Sequence, residues 1–205
     1  PPKPLAEDAL SLPVRTGKAR VIGIEPASLV TKSLVREVKT DDAGCFQSAL
    51  NPGLTKIAVI ERHKRTGKLG IGILEGYGLT GGAIATTISH DSHNIVVAGD
   101  NDPDMLLAVR ELADMGGGIV SVHGGAIRRL PLPIAGLMTS ADPQEVNAVL
   151  HDMLVAARAE LGIPEDVEPF MTLSFMALPV IPELKLTARG LFNVNTFSFV
   201  GVEAD

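Results

Sequence analysis

The sequence contains little cysteine and few aromatic residues. Cys45 is its only cysteine, tryptophan is absent, and aromatic residues make up 3% of its 205 residues. A single cysteine excludes an intrachain disulfide and a cysteine-based metal site, which suits a cytoplasmic location. No apolar stretch reaches the roughly 20 residues that a membrane-spanning helix needs, and no signal peptide is recognisable. We therefore expect no membrane partner.

The charge balance also excludes a class of partner. A net charge of −6 leaves little basic surface, and nucleic-acid backbones require such a surface, so we expect no nucleic-acid partner. Hydrophobic residues make up 45% of the chain, which is sufficient for one large core. The chain opens Pro-Pro-Lys-Pro without a methionine, which suggests a piece of a longer protein. We interpret residues 1–18 as a linker or arm from a preceding domain and residues 19–205 as the domain itself.

Apolar periodicity predicts short strands together with two long helices. One helix is predicted to start with Asp102 as its N-cap and the other to cover Gln144–Leu161. Leu29–Lys39 fits a helix or a strand, and Phe170–Leu178 is equally ambiguous. The predicted fold is α/β in the broad sense (α+β): a mixed β-sheet with hairpins and at least two long packed helices, without a (β/α)8 barrel. Strands are predicted at Ala19–Ile24, Lys56–His63, Leu69–Leu74, Ala83–Ile88, Ile95–Ala98, Ile119–His123, Leu184–Leu186 and Phe197–Val202.

A polar cluster lies between two apolar runs. The cluster His90–Asn94 reads His-Asp-Ser-His-Asn and follows Ala83–Ile88, while Ile95–Ala98 comes after it. Burying these groups beside a core is costly unless they are paired or face a ligand. They are therefore the candidate site residues, unless the segment is a simple turn with a solvated histidine. The catalytic candidates are His90, Asp91 and His93, the substrate-binding candidates are Ser92 and Asn94, and no residue is assigned to a metal.

Several other motifs are absent or undecided. Gly70–Gly76 departs from the dinucleotide-binding fingerprint, and the chain has neither a phosphate-binding loop nor a nucleophile elbow. The signature of the small zinc deaminases is missing as well. We expect His63 to be solvated at a strand end. Leu130–Met138, with two prolines, fits a buried crossing or an interface segment.

Four motifs in order resemble one family. They are quoted at the end of this paragraph, and the opening Ala19–Pro26 adds to the likeness. Together they resemble the C-terminal domain of the adenine deaminase family, a bacterial and archaeal branch of the amidohydrolase superfamily. The likeness runs from about residue 19 to the end. The motifs are Ile84–Gly99, Met115–Val120, Leu130–Met138 and Pro179–Thr187.

The resemblance implies hydrolytic deamination of adenine to hypoxanthine and ammonia, in purine salvage. It also implies a two-metal centre of manganese or iron, carried by a barrel domain that this chain lacks. We expect the His90–Asn94 loop to complete the active site of that barrel, with adenine as substrate and a homo-oligomer as the assembly. One alternative is a non-catalytic packing or oligomerisation domain of the same enzyme. A less favoured alternative is an autonomous hydrolase with a metal held by histidine and aspartate.

Overall fold

The computed structural model describes residues 2–204 and has two sheets and three helices. Pro1 and Asp205, the end residues of the predicted arm and of the predicted domain, lie outside the described residues. The predicted mixed sheet with packed helices is confirmed. Residues 2–204 form no (β/α)8 barrel.

The larger sheet has eight strands in the order β2-β1-β4-β3-β6-β5-β7-β8. All neighbours pair antiparallel except β1 and β4, which pair parallel. Several pairs of strands that follow one another in the chain, such as β3 and β4, pair antiparallel and form hairpins. Most of the sheet is built from such hairpins, because a short turn can join two antiparallel strands. The strands are β1 Lys18–Ile24, β2 Thr31–Glu37, β3 Leu54–Ile60, β4 Leu69–Glu75, β5 Gly82–Thr86, β6 Ile95–Gly99, β7 Gly118–His123 and β8 Ala126–Pro131.

Three helices and a smaller sheet cover the larger one. The small sheet has the order β11-β10-β9, all antiparallel. Two of the helices are long, as predicted. The elements are α1 Asp102–Asp114, α2 Pro143–Ala159, α3 Pro169–Phe175, β9 Leu184–Thr187, β10 Gly190–Asn193 and β11 Ser198–Val200.

The central strands are buried on both faces, which explains their continuous apolar sequence. Successive side chains of a strand point to opposite faces. In β3, Ile57 and Val59 pack in the cluster that contains residues of α2, α3 and the small sheet. Ala58 and Ile60 pack in the second cluster, which contains the buried residues of α1. The sheet is therefore the middle layer of three.

The start of α1 differs from the prediction. Asn101, not Asp102, is the N-cap, and its side chain accepts the backbone N–H of Asp104 at 2.9 Å. Asp102 is instead the first helical residue and pairs with the buried Lys56, with 2.5 Å between Nζ and Oδ1. A buried ammonium group needs such a partner, and this tertiary requirement is not visible in the local cap pattern. For α2, the capping residue is Asp142.

Of the two segments that fitted either a helix or a strand, one contains a strand and the other a helix. Leu29–Lys39 contains strand β2, which forms one edge of the larger sheet. Phe170–Leu178 contains most of α3. Leu130 is buried, but further along the same segment Ile134 and Met138 are exposed at a tight turn. The segment thus combines a buried strand end with an exposed apolar tip.

Residues 2–17 of the arm contain no helix or named strand, and strand β1 begins at Lys18, yet the arm packs on the domain. Leu10, Leu12 and Val14 are buried, and the carbonyl of Leu10 accepts from Lys56 Nζ at 2.9 Å. Near its start, the Lys3 side chain lies against Gly67, in the turn between β3 and β4. Within residues 2–204, no helix has the length and apolar character to cross a membrane.

Candidate active-site loop

The predicted site residues lie in the loop that joins β5 to β6. Strand β6 pairs with β3, with Ile95 opposite Ile60. The turn 61–68, which joins β3 to β4, therefore lies beside the loop at the same end of the sheet. The register of one strand pair thus places the polar cluster next to Arg62 and His63.

Residues of the neighbouring turn hold the backbone of the loop. The Arg62 guanidinium donates from Nε to the carbonyl of His93 at 2.5 Å, and the His63 ring donates from Nε2 to the carbonyl of Ser92 at 2.8 Å. Arg62 also donates to the carbonyl of Ala135 at 2.7 Å, so it joins the loop to the tight turn after β8. No described carboxylate pairs with Arg62. Its charge is directed at backbone carbonyls.

Helix α3 supports the loop through His90. The backbone N–H of His90 donates to the carbonyl of Ser174 at 3.1 Å, and its ring packs on Phe175 with 4.5 Å between ring centroids. The backbone N–H of His93 donates to the carbonyl of Ser89 at 2.6 Å, and His93 has a φ of +49°. A positive φ is uncommon for a residue with a side chain. The loop is thus ordered by contacts to its backbone, which leaves several of its side chains uncommitted.

The loop side chains differ in exposure and in their partners. Asp91 and Ser92 are exposed, whereas His90, His93 and Asn94 are partly buried. Nδ1 of His93 is buried without a hydrogen-bond partner, and so is the hydroxyl of Ser89. Nearly all buried polar atoms in proteins are hydrogen-bonded, so these two call for a bound water or a ligand. The centroids of the His90 and His93 rings lie 6.0 Å apart, so the two predicted imidazoles are neighbours.

The electrostatic surroundings favour a neutral His93. Partial burial lowers the pKa of His93, and the neighbouring His90 ring and Arg62 guanidinium lower it further. His63 acts in the same direction and Asp91 in the opposite one. A neutral imidazole near pH 7 has one nitrogen that accepts a proton or a hydrogen bond. Near pH 7 one ring nitrogen of His93 is therefore free of a proton and can accept a hydrogen bond or a proton.

A cleft of about 810 Å³ adjoins the loop. Asp91, Ser92 and Asn94 line one part of it. Other lining residues come from the small sheet and the segment after α3, and most of them are apolar. Its volume lies in the range of known ligand pockets, and polar groups on an apolar lining are typical of such pockets. The lining residues outside the loop are Glu61, Lys68, Ala177, Leu178, Pro179, Val180, Thr187, Ala188, Arg189, Phe192, Phe197 and Phe199.

The described residues offer no metal site. No group of three or more His, Cys, Asp or Glu side chains within residues 2–204 is arranged to hold an ion. His90, Asp91 and His93 are close in sequence, but this set does not form a ligand cage. The manganese or iron pair implied by the family resemblance therefore does not fit the residues present here.

Sequence reasoning missed the residues that hold the loop. Arg62 and Phe175 were not candidates, and His63 was expected only to be solvated. His63 is indeed exposed, but its ring also contacts the loop. The pairing of β3 with β6 could have revealed Arg62 and His63, because it brings the residues after β3 beside those before β6. Strand pairing is not encoded locally, so composition and spacing alone give no such indication.

Comparisons with known proteins give a consistent result. The family described as "Adenine deaminase C-terminal domain" matches residues 28–198. The chain is similar to proteins named adenine deaminase from Nitratidesulfovibrio vulgaris (59% identity over 201 residues) and Bacillus velezensis (44% over 205 residues). It is also similar to adenine deaminase 2 from Carboxydothermus hydrogenoformans (47% over 201 residues). Each match covers 98% of this chain but only 34–35% of the relative.

Proposed function

Since the chain belongs to the adenine deaminase C-terminal domain family, we propose that it is part of an enzyme that hydrolyses adenine to hypoxanthine and ammonia. Its relatives are about three times as long, so catalysis requires the remainder of the polypeptide. We propose that this remainder contains an amidohydrolase barrel and that the His90–Asn94 loop completes the barrel's active site. The proposed setting is purine salvage by a cytoplasmic homo-oligomer.

One observation carries this proposal. The loop is ordered by its backbone, while the buried Nδ1 of His93 and the hydroxyl of Ser89 have no partner. A purely structural turn satisfies its own polar groups, because an unpaired buried polar atom costs about 1–3 kcal/mol. Such a cost is retained most readily at sites where a ligand supplies the missing partner.

The roles follow from the chemistry of each side chain. A neutral His93 accepts a proton from substrate or water, as general bases do. Asp91, an exposed carboxylate, accepts hydrogen bonds from the amino group of a purine. Ser92 and Asn94 can donate to and accept from the purine edge. His90, seated on Phe175, lies beside His93 and adds a second imidazole to the site.

The metal belongs to the proposed barrel. Manganese or iron is the cofactor that the family resemblance implies, and residues 2–204 do not supply its ligands. No step through the metal is assigned to this chain. The same finding weakens the alternative of an autonomous metal hydrolase.

The second candidate function is packing or oligomerisation alone. The exposed Ile134 and Met138, on the tip that Arg62 joins to the loop, favour an interface in this region. This role and the active-site role are compatible. They differ in whether the loop side chains affect the chemistry.

Substitutions in the full-length enzyme test the proposal. We expect His93→Ala and Asp91→Asn each to lower kcat/KM for adenine by about 10²–10³-fold, the usual contribution of a positioned acid or base. His151→Ala is the matched control, because His151 is an exposed histidine on α2. Unchanged kinetics in both loop variants, with the fold intact, would leave only the packing role.

A further inference from the structure

Five exposed apolar side chains adjoin the His90–Asn94 loop. Val180, Phe197 and Phe199 line the cleft that the loop also lines. Ile134 and Met138 belong to the tight turn after β8. The Arg62 guanidinium joins this turn to the loop, because it donates to the carbonyls of both Ala135 and His93. We call these five residues the docking surface. Exposed apolar patches beside polar groups mark interaction sites.

Phe197 is the most informative member of the docking surface. Its side chain is 77% exposed, and its φ is +50°. A bulky residue in the left-handed region is strained. The phenyl ring meets the Phe192 ring edge-on, with 5.2 Å between centroids, and is otherwise exposed. Asparagine would tolerate the same backbone better. A strained residue with an exposed aromatic side chain points to a function outside the domain's own stability.

The rim of the surface is polar. Asp91, Lys68 and Glu61 line the same cleft, and Arg189 lies over the Phe199 ring, 4.5 Å from its centroid. An apolar centre with a polar rim is the usual anatomy of protein interfaces, where aromatic residues and arginine are enriched.

The arm and the longer relatives indicate the occupant. Lys3 lies against Gly67, in the turn 61–68 beside the loop. The family is a C-terminal domain, and the relatives are about three times as long. The arm therefore lies at the end of the sheet that carries the docking surface, and about two thirds of the relative lies outside the matched region.

We infer that the docking surface is the interface with the preceding part of the same polypeptide, which closes around the His90–Asn94 loop. The inference rests on the proposed function for the identity of that part. Contact on the apolar residues next to the loop excludes water from the loop side chains. Excluding water strengthens electrostatic interactions within the site.

Hydroxyl-radical footprinting of the full-length enzyme provides the direct test. Met138 and Met171 are 58% and 56% exposed in this domain, and Met171 is not part of the docking surface. We expect Met138 to oxidise at least about ten-fold more slowly than Met171, because interface centres are desolvated. Equal oxidation of the two methionines would overturn the inference. Protection of Met138 that disappears on dilution to monomer would assign the surface to a second copy and would also overturn it.

Substitutions make the test independent of activity. Phe197→Asn removes the ring while relaxing the backbone, and Val180→Ser removes a side chain that is 66% exposed. Both should keep the melting temperature of the domain and raise Met138 oxidation at least about three-fold. Val155→Ser, at 51% exposure on α2, is the matched control and should have no effect. Unchanged Met138 oxidation in both surface variants would contradict the inference.

The proposed function can fail separately from this inference. If Met138 is protected but the loop variants keep normal kinetics, only the active-site role of the loop is refuted.

Discussion

Two polar segments lie side by side at one end of the larger sheet, and they differ in how their polar groups are satisfied. In the turn 61–68, the Glu61 carboxylate accepts the backbone N–H groups of His63, Lys64 and Thr66 at 2.6–2.9 Å. It also accepts the Thr66 hydroxyl at 2.9 Å. The loop beside it is held from outside and leaves the buried Nδ1 of His93 unpaired. A self-satisfied turn serves the fold, whereas a loop with an unpaired buried nitrogen is suited to a ligand.

Among substitutions outside the loop, the largest expected effect comes from releasing the loop. Arg62→Met removes the donors to His93 and Ala135, so the loop loses its position without losing a site residue. In the full-length enzyme we expect kcat/KM to fall by about 100-fold, because small displacements of catalytic groups have effects of this size. Arg110→Met, an exposed arginine on α1, is the control. A folded Arg62→Met enzyme with full activity would show that the clamp has no functional role.

Removing the Glu61 carboxylate from the turn 61–68 should lower the stability of the fold and not the catalytic activity. Glu61→Ala loses four accepted hydrogen bonds at the surface, where water replaces part of each. We expect the free energy of unfolding, measured by urea denaturation, to fall by about 1–2 kcal/mol. Glu7→Ala, at an exposed position of the arm, should be neutral. If Glu61→Ala instead abolished activity while remaining folded, the division between a structural turn and a functional loop would fail.

Lowering the pH should show how much Glu61 stabilises the turn 61–68. Although partial burial alone would raise it, the donors from Thr66, Lys64 and His63 lower the pKa of Glu61 from 4.5 to about 2. The folded pKa lies below the unfolded one, so the stabilisation is present above about pH 4.5 and is lost as the pH falls toward 2. Glu61→Gln should flatten the decline of the urea midpoint between pH 5 and 2. An identical decline in wild type and variant would remove Glu61 from this role.

The smallest expected effect is on the titration of His93. Because the pKa of His93 is lowered in the folded state, the unfolded chain binds more protons as the pH drops below about 6.5, and stability falls with it. Arg62→Met removes one of the positive charges that lower the pKa of His93, so that pKa should rise. NMR titration of the ring C2–H signal measures this directly. A pKa of His93 that stays the same or falls would show that the Arg62 charge does not reach the imidazole.

The sequence predicted the fold where local patterns dominate. Buried strands such as β5 and β6 are continuous apolar runs, and α2 has a clear stripe and an acidic cap. The sequence pattern did not predict β8 or β10; in β8, Arg128 and Arg129 interrupt the apolar pattern. The candidate site was likewise predictable only in its local part. The cluster His90–Asn94 was evident from composition, whereas its support by Arg62 depends on the pairing of β3 with β6.

A crystal structure of the full-length enzyme with adenine or hypoxanthine bound would test the central claim most directly. We predict that His93 or Asp91 lies within about 2.6–3.2 Å of the purine or of one bridging water, the reach of a general acid or base. The unpaired Nδ1 of His93 or the Ser89 hydroxyl should then gain a partner. A purine bound beyond the reach of every residue from His90 to Asn94, with no water linking it to them, would contradict the account.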